Sequence, residues 1–451
     1  MATTLEFAEF ARRTRYEDLP SDVGEALKQR LLDSIGVGIA AADVRPSTIV
    51  DRTVADLEAD GLCTLWGRDR GASPVQAAMH NTALVAASSC SDSYLAPAET
   101  SHPSDTLGAV VAAGEYADAA GEELLAALAV AYEIQGELAW NAPVRDRGFD
   151  HVTHTVISAA AGASKLLELE LEETRNAIAI AATGHNALRA TRTGRIGEWS
   201  DVASADAARN AVYAAMLAER GMDGPSGAFD GRKGWEAVVS GAFEFDPTPG
   251  ERVRDVTTRR YVAETYAQSA VEGIVELAES RDLDPGDVAG IKLETFAEAK
   301  RLVGGGEGNR YEIDGRAQAT HSLPYVLAAA LLDRDLSFAQ YDPGRIGADD
   351  VQDLLRLVDV TANPDLTERF ENGELPAVID VTMDDGTTYR VEKDAFFGHP
   401  TTPIGWAGLE AKFASVTEDR LDDRRRTEIV ETVRSLEDRD VTDLTALLAR
   451  G

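Results

Sequence analysis

Ser101-His102-Pro103-Ser104-Asp105, followed by the small-residue run Thr106 to Ala120, decides how this chain is read. Ser104 is a candidate N-cap for a helix starting in that run. His102 then faces the positive end of the helix dipole, which disfavours its protonation. That environment suits a general base or a reader of carboxylates. Further along, Asp150-His151-Val152-Thr153-His154 opens a second run rich in alanine and glycine.

Outward from these two runs the first half reads as helix after helix. Val23 to Ala41 carries Leu27, Leu31, Leu32, Ile35 and Val37 at helical spacing. Gln76 to Ser89, Glu122 to Leu138, Ala159 to Leu169, Glu172 to Thr183 and Ser204 to Arg220 continue the pattern. Their alanines let helix axes approach closely, so the spacing predicts a compact bundle with buried helices. The character changes near Arg252. Val288 to Phe296 alternates like a strand, and Ala377 to Met383, Asp384-Asp385-Gly386 and Thr387 to Val391 read as a hairpin with a DG turn. Helices are expected at Tyr261 to Ser280 and His321 to Leu332, and again from Trp406, with a charged helix from Arg420 to Glu437. The fold class is therefore mainly α: a large helical domain over 1–256, completed by 395–451, with a smaller α+β domain inserted at 257–394.

Composition narrows the function. Of 451 residues, 78 are acidic and 44 basic, a net charge of −34. Such a surface repels nucleic acid and anionic membranes, so neither is expected as a partner. Acidic residues spread along the whole chain fit solubility in a salt-rich, halophilic cytosol, where screening makes dense carboxylates tolerable. Cys63 and Cys90, the two cysteines, supply neither an iron–sulfur set nor a disulfide framework. Met1 to Pro20 holds Glu6, Glu9, Arg12, Arg13 and Arg15 and has no apolar signal core. No stretch is apolar enough for a membrane span. A cytoplasmic protein is expected.

Four groups could carry chemistry. Ser89, Asp92, Ser93 and His102 bracket an irregular segment and could orient a polar substrate, although the serines and Asp92 also suit turns and caps. In the second group the His-x-x-His spacing lacks a third ligand cluster, so no metal and no cofactor are expected. Asp150 reads instead as a helix cap beside a histidine that points into a cleft. Arg189, Arg192 and Arg195, at i,i+3 spacing, are candidate carboxylate clamps, with surface ion pairing as the alternative. Arg259-Arg260-Tyr261 sits at the domain junction, and His321, at a helix start, could serve the same cleft. Gly304 to Gly308 is not a phosphate loop and reads as a mobile loop. No nucleophile elbow is present.

Taken in order, these residues resemble the MmgE/PrpD family, which includes the 2-methylcitrate dehydratases and cis-aconitate decarboxylase. The likeness runs from Leu31-Leu32-Asp33-Ser34-Ile35-Gly36 through Ser101-His102-Pro103-Ser104-Asp105. It continues in Tyr132-Glu133-Ile134-Gln135-Gly136, Arg147-Gly148-Phe149-Asp150-His151-Val152 and Ala205-Asp206-Ala207-Ala208-Arg209-Asn210-Ala211. Gln268-Ser269-Ala270-Val271-Glu272, His321-Ser322-Leu323-Pro324-Tyr325 and Gly398-His399-Pro400 complete it. The resemblance implies a helical domain with an inserted α+β lid, a homodimer and a metal-free cleft between domains. It also implies catalytic histidines at His102 and His151. The chain departs from the family at Ser89, where the pattern has a carboxylate, and at Ser200 and Arg259 or Arg260, where it has lysines.

The expected function is a metal-independent lyase that dehydrates 2-methylcitrate or a similar small β-hydroxy polycarboxylate. His102 and His151 would divide the base and acid roles. Ser89, Asp92, Ser93, Arg189, Arg192, Ser200, Arg259, Arg260 and His321 would hold the substrate. A decarboxylase or epimerase of a related dicarboxylate, or a non-catalytic carboxylate-binding protein, are the alternatives.

Overall fold

Helix α1 (Thr4–Arg13) opens on a capping box, in which Thr3 and Glu6 each satisfy the other's backbone N–H. The computed structural model describes residues 3–58 and 60–450. After α1 come α2 (Ser21–Ala40), α3 (Arg45–Leu57), α4 (Pro74–Ala87), α5 (Leu107–Tyr116), α6 (Gly121–Asn141), α7 (Val152–Leu166), α8 (Leu171–Gly184) and α9 (Ala203–Glu219). Leu31, Leu32 and Ile35 of α2 are wholly buried, each contributing about 1.5–3 kcal/mol over an exposed position. Helices α4, α5, α7 and α9 pack on one another through alanines that are themselves buried.

Short strands interrupt this bundle where the sequence reading has only loop. β1 (Cys63–Thr64) pairs with β2 (Gly71–Ala72). β3 (Ser93–Ala96) and β4 (Glu99–Ser101) form a tight hairpin, and β3 also pairs with β5 (Val256–Thr257), giving the order β4-β3-β5. The segment read as irregular before His102 is thus a hairpin that delivers His102 at its end. The expected cap is also corrected. A 3-10 turn, Pro103–Thr106, precedes α5, and the Ser104 side chain caps nothing. Instead the Ser104 N–H donates to Asp92 Oδ1 at 2.9 Å, so a carboxylate from the neighbouring loop does the capping.

The α+β part contains α10 (Gln268–Arg281), β6 (Val288–Thr295), α11 (Ala297–Leu302), α12 (Arg316–Ala319), α13 (Leu323–Asp333), α14 (Pro343–Ile346) and α15 (Asp349–Leu355). Then come β7 (Val358–Ala362), α16 (Pro364–Glu371), β8 (Ala377–Met383) and β9 (Thr388–Lys393). The sheet order is β7-β6-β8-β9, with β6 parallel to β7 and antiparallel to β8. α10 begins later than the apolar spacing predicts, because Gln268 bonds the backbone of Tyr261 and Ala263 and holds that stretch in turns. His321 lies before α13, which Ser322 caps. The glycine run is wound back on α11: Gly304, Gly306 and Glu307 donate to the carbonyls of Ala299, Lys300 and Arg301. It is a hydrogen-bonded turn rather than an open loop.

The tail forms α17 (Gly405–Thr417), α18 (Asp423–Arg434) and α19 (Val441–Leu448). The chain divides into two compact units, one of the described residues within 1–190, 201–258 and 404–451, the other of 191–200 and 259–403. The four-stranded sheet belongs wholly to the second. No described helix is long and apolar enough to cross a membrane.

Candidate active site

Within the first unit, the hairpin end and the start of α7 bring His102 and His151 together. Their ring centroids are 5.0 Å apart, edge to face at 76°. His102 Nδ1 lies 2.8 Å from the Asp92 carbonyl oxygen. A carbonyl can only accept, so Nδ1 carries a proton, and in the neutral ring the lone pair is then on Nε2. Ser93 Oγ donates to the same carbonyl at 2.8 Å and stands 3.1 Å from Nδ1.

His151 is held differently. Its Nδ1 is 3.2 Å from Asp150 Oδ1 and its Nε2 is 3.8 Å from Asp105 Oδ2. All three side chains are buried. Asp150 Oδ1 also accepts the Val152 N–H at 3.2 Å, which fixes it as a helix-start residue. Two carboxylates thus flank one imidazole.

Asp92 underlies the pair. Its Oδ2 accepts the Tyr132 hydroxyl at 2.8 Å, while Oδ1 accepts Ser104 N–H. Burial raises its affinity for a proton, opposed by those bonds and by Arg30. Ser89 is buried with φ of 56°, a left-handed conformation rare for serine. Such strain persists only where the surroundings enforce it. Tyr132 and Asp105 stand in quoted motifs, but their roles emerge only when distant segments meet.

The second histidine of the His-x-x-His pair turns away from His151. His154 is fully buried, donates from Nε2 to the Ala142 carbonyl at 3.0 Å, and faces Trp235. Among the described residues no group of three or more His, Cys, Asp and Glu side chains is arranged to hold a metal ion. Burial, the main cause, lowers the His154 pKa to about 4. A depressed folded-state value means the stability from neutral His154 is present above the unfolded value of about 6.5 and lost as pH falls toward 4. His154→Gln keeps a donor for Ala142 and does not titrate. Between pH 7 and 4.5 it is expected to lose about 2–3 kcal/mol less stability than the parent, read by urea unfolding.

The arginines divide. Arg189 belongs to the first unit, where its backbone N–H donates to the Gly148 carbonyl at 2.9 Å. Arg192 and Arg195 belong to the second. The 3-10 turn Arg189–Arg192 ends before Arg195, which is exposed and pairs with Asp314 at 2.8 Å, so the three do not form one file. Arg192, Arg259 and Arg310 place positive charge around His321, whose Nδ1 donates to the Ala317 carbonyl at 3.0 Å. Burial first, then these guanidiniums, lowers the His321 pKa to about 3. Arg259 is buried and donates to the Ala263 carbonyl at 3.1 Å. Arg260 is exposed and lies over the Tyr261 ring at 5.2 Å. Ser200 Oγ donates to the Gly197 carbonyl at 2.8 Å, closing a local turn. Arg310, not singled out from sequence, carries no motif signal.

The MmgE/PrpD N-terminal domain matches residues 5–248 and the MmgE/PrpD C-terminal domain residues 261–438. A 2-methylcitrate dehydratase of Cupriavidus necator is 28% identical over 403 residues, covering 83% of this chain and 81% of the relative. A cis-aconitate decarboxylase of Mus musculus is 28% identical over 476 residues, covering 99% and 93%. A 2-methylcitrate dehydratase of Escherichia coli (strain K12) is 26% identical over 395 residues, covering 80% and 78%. With both family domains matched in order along most of its length, the chain belongs to the MmgE/PrpD family.

Proposed function

We propose that the protein is a lyase of small polycarboxylates, and that its reaction is dehydration of 2-methylcitrate or a similar β-hydroxy acid. The observation that carries this reading is the 5.0 Å approach of two differently held imidazoles, in a chain whose relatives include dehydratases and a decarboxylase. His102, with Nδ1–H tied to the Asp92 carbonyl, offers Nε2 as the base. It takes the proton beside a substrate carboxylate, and that electron pair forms the new double bond. The C–O bond breaks, and His151, in its protonated form beside Asp150 and Asp105, protonates the departing hydroxyl to water. In the second unit, the charge gathered by Arg192, Arg259 and Arg310 is the feature best suited to bind a carboxylate. Neutral His321 adds no charge there, and with its Nδ1–H given to the Ala317 carbonyl its Nε2 is an acceptor, so the guanidiniums and not this ring supply the donors.

The test is to incubate the protein in high salt with 2-methylcitrate and follow ultraviolet absorbance of an unsaturated acid. A rise in absorbance without carbon dioxide release is the expected result. Full-length similarity to a cis-aconitate decarboxylase favours one second reading, decarboxylation. Carbon dioxide released from cis-aconitate, with no dehydration of 2-methylcitrate, would select it. Thermal stabilisation by polycarboxylates with no turnover of any would leave a binding protein.

A further inference from the structure

Behind the Ser89–Ser93 loop, still within the first unit, lies a layer of buried charge that the two histidines do not use. Arg30 and Asp33 stand one turn apart on α2, both buried. Lys412 of α17 donates from Nζ to Asp33 Oδ1 at 2.6 Å, with the two side chains 7% and 2% exposed. The same ammonium donates to the Cys90 carbonyl at 3.3 Å. Arg30 donates to the Thr258 hydroxyl. Thr258 directly follows β5, whose Thr257 is in register with Ser93. Helices α2 and α17 meet closely here: a Cβ on Gly36 would stand 2.7 Å from Phe413.

Keeping an ammonium and a carboxylate out of water is costly, and hydrophobic residues of similar volume would fill the space at least as stably. The pair is therefore better explained by what the second bond of the ammonium does. That bond reaches the peptide just after Ser89, whose φ of 56° needs outside support. Two residues on, the Asp92 carbonyl receives the His102 proton.

We propose that Lys412, anchored by Asp33, is a positioning residue for His102. By fixing the Cys90 carbonyl it holds the 89–93 loop where the Asp92 carbonyl keeps His102 in one tautomer, the one protonated at Nδ1. This rests on the reading of His102 as the base, and its test separates the two.

The experiment is nitrogen-15 NMR of histidine-labelled full-length protein, with His102 assigned by loss of its signals in His102→Gln. Asp33→Leu/Lys412→Met removes both charges together, and Lys412→Arg keeps the pair while altering its geometry toward Cys90. In the double variant His102 is expected to change from one tautomer to a mixture. Its kcat on the polycarboxylate is expected to fall about 100-fold with KM nearly unchanged. Lys412→Arg is expected to show the same change in part, with kcat down about tenfold. A folded variant of either kind with parental His102 signals and parental kcat overturns the proposal. If the tautomer changes while no polycarboxylate is turned over even by the parent, the functional reading fails and the positioning role stands.

Discussion

Replacing His102 with alanine is expected to lower kcat on the polycarboxylate by about a thousandfold or more, with substrate affinity largely kept. The proton beside a carboxylate is weakly acidic, and the nearest groups cannot replace the base. Ser93 donates its own proton to the Asp92 carbonyl. The Asp92 carboxylate is fully engaged by Ser104 and Tyr132. His151→Ala is expected to cost a similar factor for a different reason: hydroxide leaves poorly without a proton. That difference can be measured. A substrate analogue with fluoride in place of the hydroxyl needs no protonation at departure. It is expected to restore much of the rate to His151→Ala and none to His102→Ala. Rescue of His102→Ala instead would exchange the two roles. The double variant is expected to lose little more than either single one, because both groups serve one transition state. Parental kcat in either single variant would remove the histidine pair from the chemistry.

Why the sequence yields this pair but not its supports follows from the range of the interactions. The strand Val288–Thr295 and the hairpin of β8 and β9 are legible because alternation and the DG turn act over neighbouring residues. The hairpin of β3 and β4 is not, because each strand is too short to show a period. With it goes the true cap of the His102 turn, Asp92, which reaches Ser104 only after the hairpin has closed. β7 is missed for a similar reason: its pairing is parallel and lies beyond α15 in the chain. Tyr261 to Ala267 has helical apolar spacing, yet side-chain bonds from Gln268 and Glu264 hold it in turns. At the site, a histidine beside a helix start is visible in sequence. That His102 is tied to a backbone carbonyl and His151 to two carboxylates is a property of segments brought together by folding. The same holds for Lys412, Arg30 and Arg310, whose meaning lies in the distant backbone atoms and charges they meet.

The close approach of alanine- and glycine-rich helices, inferred from composition, carries the largest expected effect on stability. A Cβ added at Gly108 of α5 would stand 2.5 Å from the Thr82 backbone nitrogen of α4 and would also strike the Thr82 hydroxyl. Alanine is worth about 1 kcal/mol more than glycine in a helix interior, so propensity alone predicts a gain. The clash decides the sign, because a backbone atom cannot rotate aside as a side chain can. Helix α5 must move off α4, and the surrounding alanines, already buried, lose contacts they cannot regain. Gly108→Val is therefore expected to cost about 3 kcal/mol or more, with Gly108→Ala also destabilising. Gly184 at the end of α8 is the control: nothing lies within 4 Å of its added Cβ, so Gly184→Ala is expected to be neutral or to gain up to about 1 kcal/mol. Urea unfolding followed by circular dichroism measures all three. Because α5 begins just after the turn that bears His102, the Gly108 variants are also expected to lose kcat while still folded at low urea. If Gly108→Ala proved as stable as Gly184→Ala, the two helices could not lie as close as the small residues between them allow.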